Sequence, residues 1–147
     1  MQLDVRGPRF AAAVTTAVLA AVLLTGSGWL ALAQAIVFAI GAANARLAPY
    51  GVLFRKLVAP RQGPPRAFEP AEPVRFAQGV GFAFAAVAAV AYLSGATVIG
   101  IVAISAALVA AFLNAAFGLC LGCEAYILIR RATTRGRVGV SPSPTRD

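Results

Sequence analysis

The stretch "FAQGVGFAFAAVAAVAYLSGATVIGIVAISAALVAAFLNAAFGL", Phe76 to Leu119, contains no Asp, Glu, Lys or Arg, and it decides the fold class. A run this long is twice what one helix needs to cross the roughly 30 Å hydrocarbon core of a bilayer. It is divided once, by "SGAT" at Ser94 to Thr97, a short uncharged Gly and Ser turn of the kind that joins neighbouring helices. Two apolar helices, Phe76 to Ser94 and Thr97 to Leu119, follow, with an apolar helical continuation to Ile129. The first half of the chain repeats the arrangement: Phe10 to Thr25 and Trp29 to Ala45 flank "TGSG", Thr25 to Gly28. The expected fold is therefore all-α, a polytopic membrane protein with four transmembrane helices in two hairpins, residues 1–131 forming one membrane domain.

Composition agrees. The chain is 60% hydrophobic and 12% charged, against roughly 45–50% and about 25% in soluble proteins, which excludes an ordinary soluble enzyme. A net charge of +8 could suggest nucleic acid, but its distribution argues otherwise. All Lys and Arg lie in three segments flanking the apolar runs: Arg6 and Arg9; Arg46, Arg55, Lys56, Arg61, Arg66 and Arg75; Arg130, Arg131, Arg135, Arg137 and Arg146. The two Gly/Ser turns carry none. This is the bias that orients helices in a bilayer, so no nucleic-acid partner is expected, and both termini and the central loop are placed in the cytoplasm. Trp29 then anchors the outer interface. A secretory signal competes for the N-terminus through Arg6, Arg9 and "ALA" at Ala31 to Ala33, but cleavage there would leave "QAIVFAIGAAN" as a bare apolar end.

In the central loop, Tyr50, Leu53, Phe54, Leu57 and Val58 fall on one helical face opposite Arg55 and Lys56, with Pro49 at the start and Pro60 ending the run. A short amphipathic helix lying on the inner leaflet is expected. The proline-rich stretch to Pro73 reads as an extended connector, and residues 132–147 as a disordered basic tail.

Chemistry concentrates at "LCLGCEAY", Leu119 to Tyr126, which holds both cysteines of the chain and the one acid inside the apolar segments. On a helix Cys120, Cys123 and Glu124 share one patch, a candidate dithiol with a tuning acid. Cytoplasmic thiols are kept reduced, so a cycling pair suits the site better than a static bridge. Two thiols, one carboxylate and no histidine fall short of a closed zinc site unless a second copy contributes its own pair, so no metal and no cofactor is expected. Thiolate reactivity depends on the backbone. If the last helix runs unbroken to Arg131, the cysteines lie near its carbonyl end, which disfavours a thiolate; if Gly118 or Gly122 breaks it, they lie at the start of a new segment, which favours one. Close packing through Gly118 and Gly122 accounts for the small residues without any chemistry. Gln34, Gln78 and Asn114 are the intramembrane polar groups, each suited to an interhelical hydrogen bond.

"DVRGPRFAA", "PYGVLFRKLVAPRQGPP", "RFAQGVG" and "LNAAFGLCLGCEAYILIRR" together resemble the actinobacterial membrane proteins grouped as domain of unknown function 4395. That family has no established activity. The resemblance implies a bacterial cytoplasmic membrane and a thiol or sulfane-sulfur role for Cys120 and Cys123, with a thioredoxin-like protein or a rhodanese-type sulfurtransferase as partner. The expected function is exchange of electrons or sulfur with that partner, beside the lipid bilayer and with a homo-oligomer allowed. A permease component for a small sulfur-containing anion and a non-catalytic scaffold are the alternatives.

Overall fold

A computed structural model describes residues 1–136. Four apolar helices dominate it: α1 (Arg6–Thr25), α2 (Gly28–Ala43), α5 (Ala71–Ser94) and α6 (Thr97–Phe117), with shorter elements between α2 and α5 and one after α6. α1, α5 and α6 are each long and apolar enough to cross a membrane, which fits a membrane protein, whereas α2 is apolar but has 16 residues. At 1.5 Å per residue α2 spans only about 24 Å.

The boundaries depart from expectation for local reasons. α1 begins at Arg6 rather than Phe10 because Asp4 Oδ1 accepts the Arg6 backbone N–H at 3.0 Å, and Pro8 falls in the first turn, where a missing N–H costs nothing. α5 likewise begins at Ala71 rather than Phe76, with Pro73 in its first turn and Glu72 beside the positive helix end. α2 ends at Ala43 rather than Ala45 because Asn44 leaves the helix and its side-chain oxygen accepts from Arg46 N at 2.9 Å, closing a local turn.

α2 packs mainly along α5, α5 along α6, and α6 along α1, while α1 and α2 touch little although they are consecutive. Leu19, Val22, Ala31, Ala88, Ala89 and Ile104 form the central core. A second cluster joins Ala35, Phe38 and Ala85. Small residues allow these approaches: a Cβ on Gly81 would lie 2.9 Å from the Phe38 ring. Larger apolar side chains such as Leu24, Ile36, Val90, Val98, Val102 and Phe117 point outward. That inverted pattern belongs in lipid rather than water. Trp29 is also exposed, beside the α1–α2 turn.

The helix ends segregate. Arg75 Nε donates to Ala42 O at 2.8 Å, joining the start of α5 to the end of α2. Arg9 Nη2 donates to Ala115 O at 3.4 Å, joining the start of α1 to the end of α6. At the other end, Gly28 lies against Leu93. Every described Lys and Arg lies at the first end or in segments attached to it.

Between α2 and α5 come α3 (Pro49–Leu53), a π-helical turn (Phe54–Val58) and α4 (Ala59–Gln62). The expected single amphipathic face is split here. Phe54 is buried, its ring 5.7 Å from that of Phe10, and Tyr50 O–H donates to Gln34 Oε1 at 2.7 Å. Leu53 and Leu57 are exposed together with Arg55 and Lys56, and Val58 is half-buried. The wide turn advances the backbone by less rotation per residue than an α-helix, so residues before and after it lose their common side. Nor does Pro60 end the run: it sits in the first turn of α4, where it is tolerated.

The connector contributes an element absent from the all-α expectation. β2 (Phe68–Pro70) pairs antiparallel with β1 (Gln2–Asp4), with Leu3 opposite Glu69. Arg6 binds Asp4 in a 2.9 Å ion pair and also donates to Gln62 O and Gly63 O. The N-terminus is thereby tied to the central loop.

Candidate functional site: a dithiol at a helix start

The candidate site begins with the end of α6. Gly118 has φ 69°, a left-handed conformation that stops the helix. Its N–H donates to Asn114 O at 3.0 Å and Leu119 N–H donates to Leu113 O at 3.3 Å, satisfying the last carbonyls. Cys120 follows in an extended conformation and is the N-cap of α7 (Leu121–Arg135). The expected unbroken continuation to Ile129 is thus corrected: the chain breaks at Gly118, and a new helix starts three residues later. That helix also includes Ala132–Arg135, which were expected in the tail; within it the Thr133 and Thr134 hydroxyls donate to Ile129 O and Arg130 O. Residues 137–147 of the expected tail lie outside the described residues.

This break settles which electrostatic environment the cysteines occupy. Cys120 Sγ accepts the Cys123 backbone N–H at 3.3 Å, in the place a Ser or Asp side chain takes in an ordinary N-cap. The two cysteines are disulfide-bonded, with Cα atoms 5.2 Å apart, inside the usual range for such a bridge. In the reduced state, negative charge on Cys120 sulfur would meet the unsatisfied N–H groups and positive dipole end of α7. That environment lowers a thiol pKa. Arg9 adds a guanidinium near the hinge: a Cβ on Gly118 would lie 3.7 Å from its Nε.

Helix α7 is held by Gly122, where a Cβ would come within 2.6 Å of Ala77 Cβ and 2.7 Å of Ala77 Cα. Only hydrogen fits at this contact with α5. One turn on, the Tyr126 ring lies 5.6 Å from Phe76, and the Arg130 guanidinium lies over the Tyr126 ring at 5.8 Å. Leu128, turned away from that contact, and Ile129, a turn further along, are both exposed. Glu124, in the first turn, is exposed and its N–H donates to Cys120 O at 3.0 Å. Among the described residues the ion pair is Asp4 with Arg6, and Glu124 joins none.

Cys120, Cys123, Glu124, Gln78 and Asn114 line one cleft of about 1630 Å³, together with Arg9 and Glu69. It runs from α7 into the groove among α1, α5 and α6. Burial raises the Glu69 carboxyl above its ordinary value. Gln34 lies elsewhere: it is 1% exposed and bridges to Tyr50, its Nε2 finding no partner among the described residues. The loop residues expected on the amphipathic face are likewise outside the cleft. Sequence reasoning missed Arg9 and Glu69. Arg9 was legible only as one of many orienting charges, and Glu69 sits in a strand too short to show a pattern.

The chain belongs to the family described as Domain of unknown function (DUF4395), whose family model matches residues 3–131. No curated protein and no solved structure matches it.

Proposed function

We propose that this DUF4395 chain crosses the bacterial cytoplasmic membrane four times, with both termini and the central loop in the cytoplasm, and that its Cys120–Cys123 pair exchanges electrons or sulfane sulfur with a soluble thioredoxin-like or sulfurtransferase partner. The observation that carries the reading is the position of Cys120 as N-cap of α7 with its sulfur on the Cys123 N–H. The topology rests on the one-ended Lys and Arg distribution; α2, at 16 residues, crosses with its flanking turns at the interfaces or with local bilayer thinning. The exposed loop residues Leu53, Leu57, Arg55 and Lys56 then meet the inner leaflet.

Exchange proceeds through a mixed disulfide. In one direction, a partner thiolate attacks the Cys123 sulfur, the Cys120–Cys123 bond breaks, and Cys120 leaves as the thiolate stabilised at the helix start. A second partner thiolate then attacks the partner sulfur of the mixed disulfide, releasing Cys123 as a thiolate that takes up a proton. The partner is oxidised by two electrons and the pair reduced by two. In reverse, the Cys123 thiolate attacks an oxidised partner, and the Cys120 thiolate then attacks the Cys123 sulfur of the mixed disulfide, closing the bridge and releasing the partner thiolate. Glu124, in the same first turn, opposes the thiolate by its charge and sets the pH at which it forms.

Acid-quenched alkylation of native membranes tests this. The pair should shift between reduced and oxidised or persulfidated forms with oxidant or sulfide stress, and Cys120→Ser should accumulate a mixed disulfide on Cys123. Glu124→Gln should lower the pH at which Cys120 is alkylated. Cysteines unmodified under every stress, with a double serine variant that grows normally on limiting sulfur, would leave only the packing role of a scaffold.

A further inference from the structure

The proposed exchange leaves open where electrons go when the partner reduces the pair. A cleft that starts at the two cysteines and enters the bundle bears on this. Its walls reach Ala106, Ala107 and Phe84. Ala106 precedes the end of α6 by three helical turns, about 16 Å along the axis, which is half the depth of a bilayer core of roughly 30 Å.

We propose that this cleft binds the ring of an isoprenoid quinone, which accepts two electrons from the Cys120–Cys123 dithiol. The proposal rests on the thiol-exchange reading and supplies its membrane-side acceptor. Three features of the lining favour a quinone. The deep walls are small or flat, Ala106, Ala107, Ala110 and Gly81 beside Phe84, shaping a slot for a planar ring or an unbranched prenyl tail. Nearer the thiols, Asn114 lines the cleft without a side-chain hydrogen-bond partner among the described residues and can donate to a quinone carbonyl, while Gln78 borders it with its amide packed against Gly41 of α2. The charged lining carries both signs, Arg9, Arg130, Arg131 and Arg135 against Glu69, Glu72 and Glu124. A neutral polar head suits that nearly balanced mixture better than an anionic phospholipid head, whose attraction to the arginines the three carboxylates would largely offset.

The step balances. The Cys120 thiolate and the Cys123 thiol give up two electrons as their S–S bond forms; the quinone takes those electrons, the Cys123 proton and one further proton, becoming the hydroquinone. Glu69, whose carboxyl is held protonated to higher pH by burial, borders the same cleft and can supply the further proton. The partner dithiol then re-reduces the pair, so the net reaction is partner dithiol plus quinone to partner disulfide plus hydroquinone.

The test uses the full chain in nanodiscs, reduced, freed of reductant and mixed with decylubiquinone, whose fully substituted ring resists direct thiol addition. Quinone absorbance and alkylation mass shifts are followed together, and exchange with dithiothreitol is measured on the same samples. One hydroquinone should form per disulfide, with saturation in quinone. Asn114→Leu, which removes a donor, and Ala110→Leu, which fills the slot, should each raise the half-saturating quinone concentration about tenfold. Protein that exchanges with dithiothreitol but forms no hydroquinone, or whose saturation neither variant alters, overturns the quinone proposal and leaves thiol exchange standing. An anionic phospholipid retained in the cleft against excess quinone, seen by native mass spectrometry, also overturns it. Protein inert to both reagents refutes the thiol reading and this proposal with it.

Discussion

Replacing Gly118 by Ala tests the hinge on which the thiol chemistry depends, because two backbone arrangements predict opposite signs. In the structure Gly118 has φ 69°, and an L-residue in that region costs roughly 1–2 kcal/mol. Ala also stiffens the unfolded chain, returning about 0.4–1 kcal/mol. No clash adds to this, since the nearest atom to the new Cβ would be Arg9 Nε at 3.7 Å. The net expectation is a loss of up to about 1.6 kcal/mol. Were α6 and α7 one continuous helix, the same substitution would stabilise by roughly 0.8–1.0 kcal/mol through helix propensity. Reversible unfolding in mixed micelles, by titration with a denaturing detergent, measures the difference. Gly118→Asn should lose less than Gly118→Ala, because Asn enters the left-handed region more readily. A second readout follows from the same geometry: to the extent that Ala drives α6 through the hinge, Cys120 leaves its N-cap position and its alkylation shifts to higher pH. Gly118→Ala protein that is more stable than the parent, with unchanged alkylation, would refute the hinge and the thiolate argument built on it.

Tyr50→Phe should destabilise by about 1–3 kcal/mol, because it strands the buried Gln34 oxygen beside an Nε2 that already lacks a partner among the described residues; Gln34→Leu added to it should recover much of the loss in a double-mutant unfolding cycle. Glu69 has a folded-state pKa raised from 4.5 by burial, so its contribution is most favourable below that value, declines as pH rises through the folded value, and stays low above it. Glu69→Gln should therefore flatten that part of the stability-versus-pH curve and raise stability at neutral pH, and an unchanged thermal-unfolding profile from acid to neutral pH would count against burial of the charge. Gly122→Ala places a Cβ 2.6 Å from Ala77 Cβ, and overpacking of about 1–3 kcal/mol should lift α7 from α5; limited proteolysis near Gly118 should then accelerate, and unchanged cleavage would contradict the contact.

The apolar helices were legible because length and hydropathy alone determine them. Their starts were less so, since the apolar runs begin only at Phe10 and Phe76, whereas Pro8 and Pro73 fall in first turns, where the helix asks for no N–H. The β1–β2 pair was invisible: three-residue strands carry no measurable alternation, and their partners are far apart in sequence. The central loop shows a different limit. Its apolar spacing is helical throughout, but a fixed 100° step cannot anticipate the π-helical turn at Phe54–Val58, which turns Phe54 inward and leaves Leu57 out.

The same limit governs the site. The two thiols and the neighbouring acid are visible in "CLGCE", yet whether that group is a sluggish pair at a carbonyl end or an activated pair at an amide end depends on which glycine interrupts the helix. Gly118 and Gly122 are equivalent in a sequence: four apart, each flanked by Leu, each suited to close packing. Tertiary contacts separate them. Gly122 is needed inside α7 because Ala77 occupies the space a side chain would fill, whereas Gly118 faces no crowding and instead takes the left-handed turn. Once α7 is pinned to α5 through Gly122 and Tyr126, the chain leaving α6 must redirect before reaching it, and Gly118 is the residue in the intervening stretch that can turn without a Cβ penalty. The contact with α5 thus places Cys120 at a helix start, and a change at Gly122, a residue with no chemistry of its own, should reach thiol reactivity through the docking of α7.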